Sequence, residues 1–173
     1  MAKTLVLSFI ARDRPGVVER LSETVAREGG NWLESRMAHL AEKFAGVARV
    51  EIPGGKVASL KTALTALDEE GFHLMVEEAA EDAAPAGPLL NLDLVGPDHP
   101  GILRDISHCL TEHGVSVEEI ETDIRGAPMG GGSLFYARAR VRAPARLGEE
   151  QLRHALEALA GALMVDITLR EEG

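Results

Sequence analysis

Asp13-Arg14-Pro15-Gly16-Val17-Val18 returns as Asp98-His99-Pro100-Gly101-Ile102-Leu103, at an offset of 85 residues. The match continues downstream, pairing Leu21 with Ile106, Ser22 with Ser107, Val25 with Leu110 and Gly29 with Gly114. An apolar stripe at helical spacing that ends on a glycine, found twice, is what duplication of one helix leaves behind. A second helix is repeated as well: Leu60, Ala63, Leu64 and Leu67 correspond to Leu152, Ala155, Leu156 and Leu159, at an offset of 92. The seven additional residues of the second copy are expected in Gly126-Ala127-Pro128-Met129-Gly130-Gly131-Gly132, read as a lengthened loop. Leu74-Met75-Val76 and Leu163-Met164-Val165 are expected to belong to a short strand that closes each half.

Between the repeated helices the period changes to two. In residues 134–142, Phe135, Ala137, Ala139 and Val141 alternate with Tyr136, Arg138, Arg140 and Arg142, the pattern of a strand covered on one face. Phe44, Gly46, Ala48, Val50 and Ile52 mark the same face in the first copy. Each half then reads strand (3–10, 89–95), helix (15–28, 100–113), two strands (31–39 and 43–52, 116–124 and 134–142), helix (56–70, 149–160) and strand (72–78, 163–170). That order makes the chain α+β, with two tandem ferredoxin-like βαββαβ domains whose antiparallel sheets carry helices on one face. The expected domains are 1–80 and 89–173, joined by a linker at 81–88 rich in alanine, glycine and proline.

Composition narrows the function. The 173 residues carry 45% apolar and 27% charged side chains, enough for a core in each half. The formal charge of −10 divides into −4 over residues 1–88 and −6 over 89–173. Neither half offers the net basic field that nucleic-acid phosphates favour. Cys109 is the only cysteine, so no intrachain disulfide is possible and a reducing cytoplasm is the expected compartment. Residues 3–10 loosely resemble a short signal peptide but run into Arg12-Asp13-Arg14-Pro15 without a small-residue cleavage pattern, and are read as a strand. No apolar run approaches membrane-spanning length.

Pro15 and Pro100 are expected at the first position of their helices, where a fixed φ is an advantage and a missing N–H costs nothing. The glycines after them, Gly16 and Gly101, allow close approach of backbone or ligand. Free amides at such a helix start attract a carboxylate, while Asp13 or Asp98 beside them suits an ammonium group. Together they match the two ends of an α-amino acid. The alternative is that each aspartate only bonds backbone amides of its own turn.

The element order and the Asp-x-Pro-Gly after the first strand of each half resemble the ACT domain family, whose members bind amino acids and other metabolites. More narrowly, Pro97-Asp98-His99-Pro100-Gly101, Ala127-Pro128, Gly132-Ser133-Leu134-Phe135 and Val165-Asp166 are similar to the second half of the glycine cleavage system transcriptional repressor family. Gly30-Asn31-Trp32-Leu33-Glu34-Ser35-Arg36-Met37 is similar to that family's first half. The resemblance implies ligand contacts from the loop before Pro-Gly and from a polar residue opening the second strand. In this chain those are Asp13, Arg14, Pro15, Gly16 and Asn31, then Asp98, His99, Pro100, Gly101 and Ser116. Several binding members carry Asn where this chain has Asp. It further implies a non-catalytic regulator, pairing of modules through sheets and helices first within the chain and then in a homodimer or higher oligomer, and a transcription activator of glycine catabolism as protein partner. No cofactor, metal, direct nucleic-acid or membrane contact is expected.

Other readings remain beside it. RNA-recognition modules share the element order but stack bases on strand aromatics, which are 3% of this chain. Tyr136, Arg138, Arg140 and Arg142 read as a solvated or dimer-facing strand surface, with an RNA or acidic-partner face as the alternative. Of His108, Cys109 and His113, only the last two share a helix face, and no second ligand cluster accompanies them. The glycine run before Ser133 has Gly132 where a phosphate-binding loop needs lysine. His99 is aligned with Arg14, which suggests a polar, exposed position, and Trp32 is expected in packing. A small ferredoxin-like enzyme lacks any recognisable nucleophile and base pattern here. A purely structural ACT scaffold is the remaining alternative.

Overall fold

The computed structural model describes residues 1–80 and 86–172. By its contacts the chain divides into two compact units, Met1–Ala83 and Ala84–Gly173. Residues 81–85 of the expected linker lie outside the described residues.

In the first unit β1 (Ala2–Arg12), α1 (Val17–Arg27), β2 (Asn31–Leu40), β3 (Lys43–Pro53), α2 (Val57–Thr65) and β4 (Phe72–Glu78) follow in that order. The sheet order is β2-β3-β1-β4, with antiparallel neighbours throughout. Alternation along β1 buries Leu5, Leu7, Phe9 and Ala11 beside Ala48, Val50 and Ile52 of β3. Val17, Leu21 and Val25 of α1 and Leu60 and Leu64 of α2 close over that face. Each fully buried leucine stabilises the fold by about 1.5–3 kcal/mol relative to exposure. Trp32 is half-buried against the same core, as its packing role requires.

The second unit repeats the plan with β5 (Leu89–Pro97), α3 (Ile102–Glu112), β6 (Ser116–Gly126), β7 (Ser133–Arg142), α4 (Glu149–Leu163) and β8 (Asp166–Glu171). Its sheet order is β6-β7-β5-β8, again antiparallel. The core joins Leu90, Leu92 and Leu94 to Ile106, Leu110, Leu152 and Leu156. Fine detail is duplicated too. Both edge strands bulge at the same place, between Trp32 and Glu34 and between Val117 and Glu119. Both first helices end in the same way, with Gly30 N–H bonded to Val25 O and Val115 N–H to Leu110 O, each at 2.9 Å.

Three expectations about the elements change. The first helix of each unit begins at Val17 and Ile102, not at Pro15 and Pro100. The reason is that Gly16 and Gly101 adopt φ of 92° and 89°, a left-handed turn that redirects the chain after each proline. Leu163-Met164-Val165 is not the counterpart of Leu74-Met75-Val76: Leu163 ends α4 and Met164 caps it with φ 55°. Pairing to equivalent residues Leu5 and Leu90 matches Glu78 with Glu171, so the last strands correspond at an offset of 93. The lengthening is also distributed. Val50 and Val141 face Leu5 and Leu90, so six extra residues lie between the two middle strands, one more precedes α4 and one precedes β8.

Candidate functional site

The loop after the first strand has one backbone design in both units. Asp13 N–H donates to Glu42 O at 3.0 Å, and Asp98 N–H donates to Ser133 O at 2.9 Å, so each loop is stitched to the hairpin between the middle strands. After the left-handed glycine, the first helical bonds run from Arg20 N–H to Gly16 O at 2.9 Å and from Asp105 N–H to Gly101 O at 3.0 Å. The amides of Val17, Val18 and Glu19 therefore have no acceptor inside α1. In α3 the Ile102 amide turns back onto His99 O at 3.3 Å, while those of Leu103 and Arg104 point out of the helix start. Partial positive charge gathers at both places.

The side chains around the two loops differ. In the first, His39 Nε2 lies 3.3 Å from Asp13 Oδ2. Arg14 donates to Glu70 O at 2.9 Å, and its guanidinium sits 5.9 Å from the Phe72 ring centroid. Arg20 grips the Glu70 carboxylate through three contacts of 2.6–3.1 Å. That hydrogen bonding, more than simple charge attraction, holds Glu70 below the ordinary carboxylate range and raises Arg20. Glu19 Oε2 is 3.9 Å from where a side chain on Gly16 would begin. Asp13 and Arg14 of this loop thus already have partners within the unit.

At the second loop the equivalents are exchanged. Ile124 takes the place of His39 and Arg104 that of Glu19, both at the offset of 85. Among the described residues Asp98 is exposed and has no side-chain partner. The Arg104 guanidinium lies over Gly101, 3.1 Å from where its side chain would begin, and is steadied by Asp105 Oδ1 at 2.8 Å. His99 is half-exposed, with Nδ1 3.2 Å from the carbonyl oxygen of Pro100. This loop thus carries a carboxylate without a side-chain partner, a guanidinium held by Asp105 over Gly101, and the helix-start amides of Leu103 and Arg104.

Asn31 and Ser116 are placed elsewhere. Asn31 opens β2 opposite Glu51, which is level with Thr4, whereas Asp13 follows Arg12 at the far end of β1. Nine residue steps separate the two levels, about 30 Å at the usual rise. Ser116 stands level with Arg142 and Leu89, equally far from Asp98. Each unit therefore brings together its four loop residues and leaves the strand-opening residue at the opposite end of the sheet. His39, Glu19 and Arg104 are the residues that sequence reading did not single out.

Other candidates resolve simply. His113 Nδ1 lies 2.8 Å from the carbonyl oxygen of Cys109, its own helix predecessor. Burial, and then Glu112 nearby, push the Cys109 thiol up, away from the reactive thiolate. Among the described residues no three His, Cys, Asp or Glu side chains gather as a metal site, and no helix is long and apolar enough to cross a membrane. The arginine row on β7 is largely neutralised. Arg138 pairs with Asp93 at 3.4 Å, Arg140 with Glu119 at 3.4 Å and Glu172 at 3.1 Å, and Arg142 with Glu118 at 2.9 Å.

With this geometry in place, the chain can be compared with known proteins. An ACT domain family model matches it twice, over residues 3–77 and 89–169. A solved structure of a protein of unknown function from Galdieria sulphuraria is 29% identical over 100% of both chains, with a TM-score of 0.85. A proposed glycine cleavage system transcriptional repressor is 17% identical over 99% of this chain and 98% of its own, with a TM-score of 0.73, a likeness of fold. No curated protein matches the chain.

Proposed function

Because this chain belongs to the ACT domain family, matched in both halves, we propose that it is a non-catalytic regulatory protein that binds an amino acid, such as glycine, through its duplicated loop. One observation carries the reading: the Asp98 loop combines an unpaired carboxylate with helix amides and the Arg104 guanidinium. Asp98 accepts the ligand ammonium, while the amides of Leu103 and Arg104, with the Arg104 side chain, hold its carboxylate. The second unit is the principal site in this account. In the first unit His39 and Glu70 already engage Asp13 and Arg14, which favours an architectural role for that copy.

Asn31 and Ser116 enter through assembly. Each sits about 30 Å from its own loop by strand rise, so contact with a ligand held at that loop comes from the strand-opening residue of another module, which a homodimer or larger oligomer would supply. The repressor-like neighbour supplies the regulatory context: the bound amino acid alters contact with a transcription regulator of glycine cleavage in the cytoplasm.

Calorimetric titration of the full chain with glycine and a panel of other amino acids tests the proposal. Saturable heat with one of them, abolished in the Asp13→Ala, Asp98→Ala double variant, is the expected result. Absence of heat with every amino acid, or unchanged affinity in a folded double variant, would refute it.

A further inference from the structure

The two open sheet faces, those turned away from the helices, have opposite characters. On the second unit's face, cross-strand rows run Glu121, Arg138, Asp93, Thr168 and Glu119, Arg140, Asn91, Arg170. Acids and arginines interlock there, with Arg170 adding a 3.0 Å bond to Asp93. On the first unit's face, the rows nearest the middle hairpin run Leu40, Lys43, Arg12, then Ala38, Ala45, Ile10, His73, then Arg36, Val47, Ser8, Met75. No acid stands in these rows. Leu40, Ile10, Val47 and Met75 are 80%, 40%, 47% and 59% exposed.

The cations here are free. Among the described residues Arg12 and Lys43 have no ion-pair partner, and Arg36 bonds only the adjacent Ser35 carbonyl. In a chain of net charge −10, three unpaired cations around an apolar stripe form a local reversal of sign. From this charge complementarity we infer that the cationic half of the first unit's open face, between Arg12, Arg36, Lys43 and the Ile10-Val47-Met75 stripe, docks an amphipathic acidic segment of a protein partner. The stripe buries the segment's apolar side, and the three cations meet its carboxylates at the rim. A nucleic acid fits less well, because these rows offer His73 as their only ring on which a base could stack. The inference rests on the regulatory reading above, whose protein partner it provides with a surface.

A charge swap tests it. Two fluorescein-labelled amphipathic peptides are titrated against the full chain by anisotropy, one with alternating leucine and glutamate, the other with lysine for each glutamate. The acidic peptide is expected to bind, more weakly as salt rises. R12E/R36E/K43E is expected to lose at least about tenfold affinity for it and to gain affinity for the lysine peptide, the signature of rim electrostatics. V47S/M75S, which removes two of the stripe's three apolar side chains and retains the charges, is expected to weaken binding of the acidic peptide. Failure of the acidic peptide to bind, equal binding by the charge-reversed variant, or tighter binding of single-stranded RNA or anionic lipid vesicles would overturn the inference. So would sedimentation showing that the variants dissociate a dimer, since a second copy would then be the occupant. Amino-acid calorimetry on R12E/R36E/K43E separates the two proposals: retained heat with a failed peptide test removes the docking surface alone.

Discussion

The loop from Asp13 to Gly16 and the loop from Asp98 to Gly101 are nearly the same backbone carrying different chemistry. Both tie an aspartate amide to a hairpin carbonyl and turn through a left-handed glycine into a helix. Around the first, His39 meets Asp13 and Glu70 engages Arg14 and Arg20; around the second, Ile124 leaves Asp98 without a side-chain partner among the described residues, while Arg104 is held by Asp105. The open sheet faces differ in the reverse sense, with the arginines paired in the second unit and Arg12, Arg36 and Lys43, near the middle hairpin of the first, without acidic partners among the described residues. The scaffold is the same while the side chains differ, and on the proposals above one copy takes a small zwitterion and the other a surface contact.

The largest effects should be shared by the two copies, since they arise from the scaffold. Leu64→Ala and Leu156→Ala, at equivalent buried positions, are each expected to cost about 2–5 kcal/mol through lost burial and the residual cavity. Denaturant unfolding measures both, and a much smaller cost in one copy would show that its core is not the equal of the other. Gly16→Ala and Gly101→Ala should each cost about 1–2 kcal/mol, because an L side chain is strained at this positive φ. Gly101→Ala should cost the more, with Arg104 close to the added carbon.

Smaller effects separate the copies. Ile124→His recreates in the second unit the position of His39, and is expected to weaken amino-acid binding several-fold by engaging Asp98 as His39 engages Asp13. Unchanged calorimetric affinity would detach the His39 contact from the difference between the copies. Acid should act weakly on both units through carboxylates whose pKa is lowered on folding: Glu70 by its hydrogen bonds from Arg20, and Asp123 by that from Arg125. Such groups bind protons more readily in the unfolded chain, so their contribution is complete above the ordinary carboxylate pKa and disappears as pH falls through the lowered folded value. A thermal-melt series across that range should show melting temperature falling with pH. Glu70→Gln and Asp123→Asn should flatten the fall, and an unaltered slope would remove these pairs from the account.

Much of this plan was legible in the residues. Repetition at fixed offsets marked both copies of the first helix, and two-residue alternation marked the middle strands, because burial on one face enforces those periods. Short matches misled where no burial constraint supported them. Leu163-Met164-Val165 repeats three letters, yet strand pairing aligns Glu78 with Glu171. The start of each helix shifted because a glycine's φ is set by the turn and not by the proline before it. The loop residues themselves were visible, but their partners were not. His39 meets Asp13 across the hairpin, and Arg14 reaches Glu70 from 56 residues away, so only the folded chain reveals that the first loop is occupied. The separation of Asn31 from Asp13 likewise follows from strand length and direction, which spacing in sequence conceals.

The direct test of the division between copies is calorimetry on the two single aspartate variants, with whichever amino acid the wild-type chain binds. Asp98→Ala should lose about tenfold or more in affinity, the worth of one charge-assisted hydrogen bond, while Asp13→Ala binds nearly as the wild type does. Equal losses in the two variants, or a loss confined to Asp13→Ala, would contradict the account.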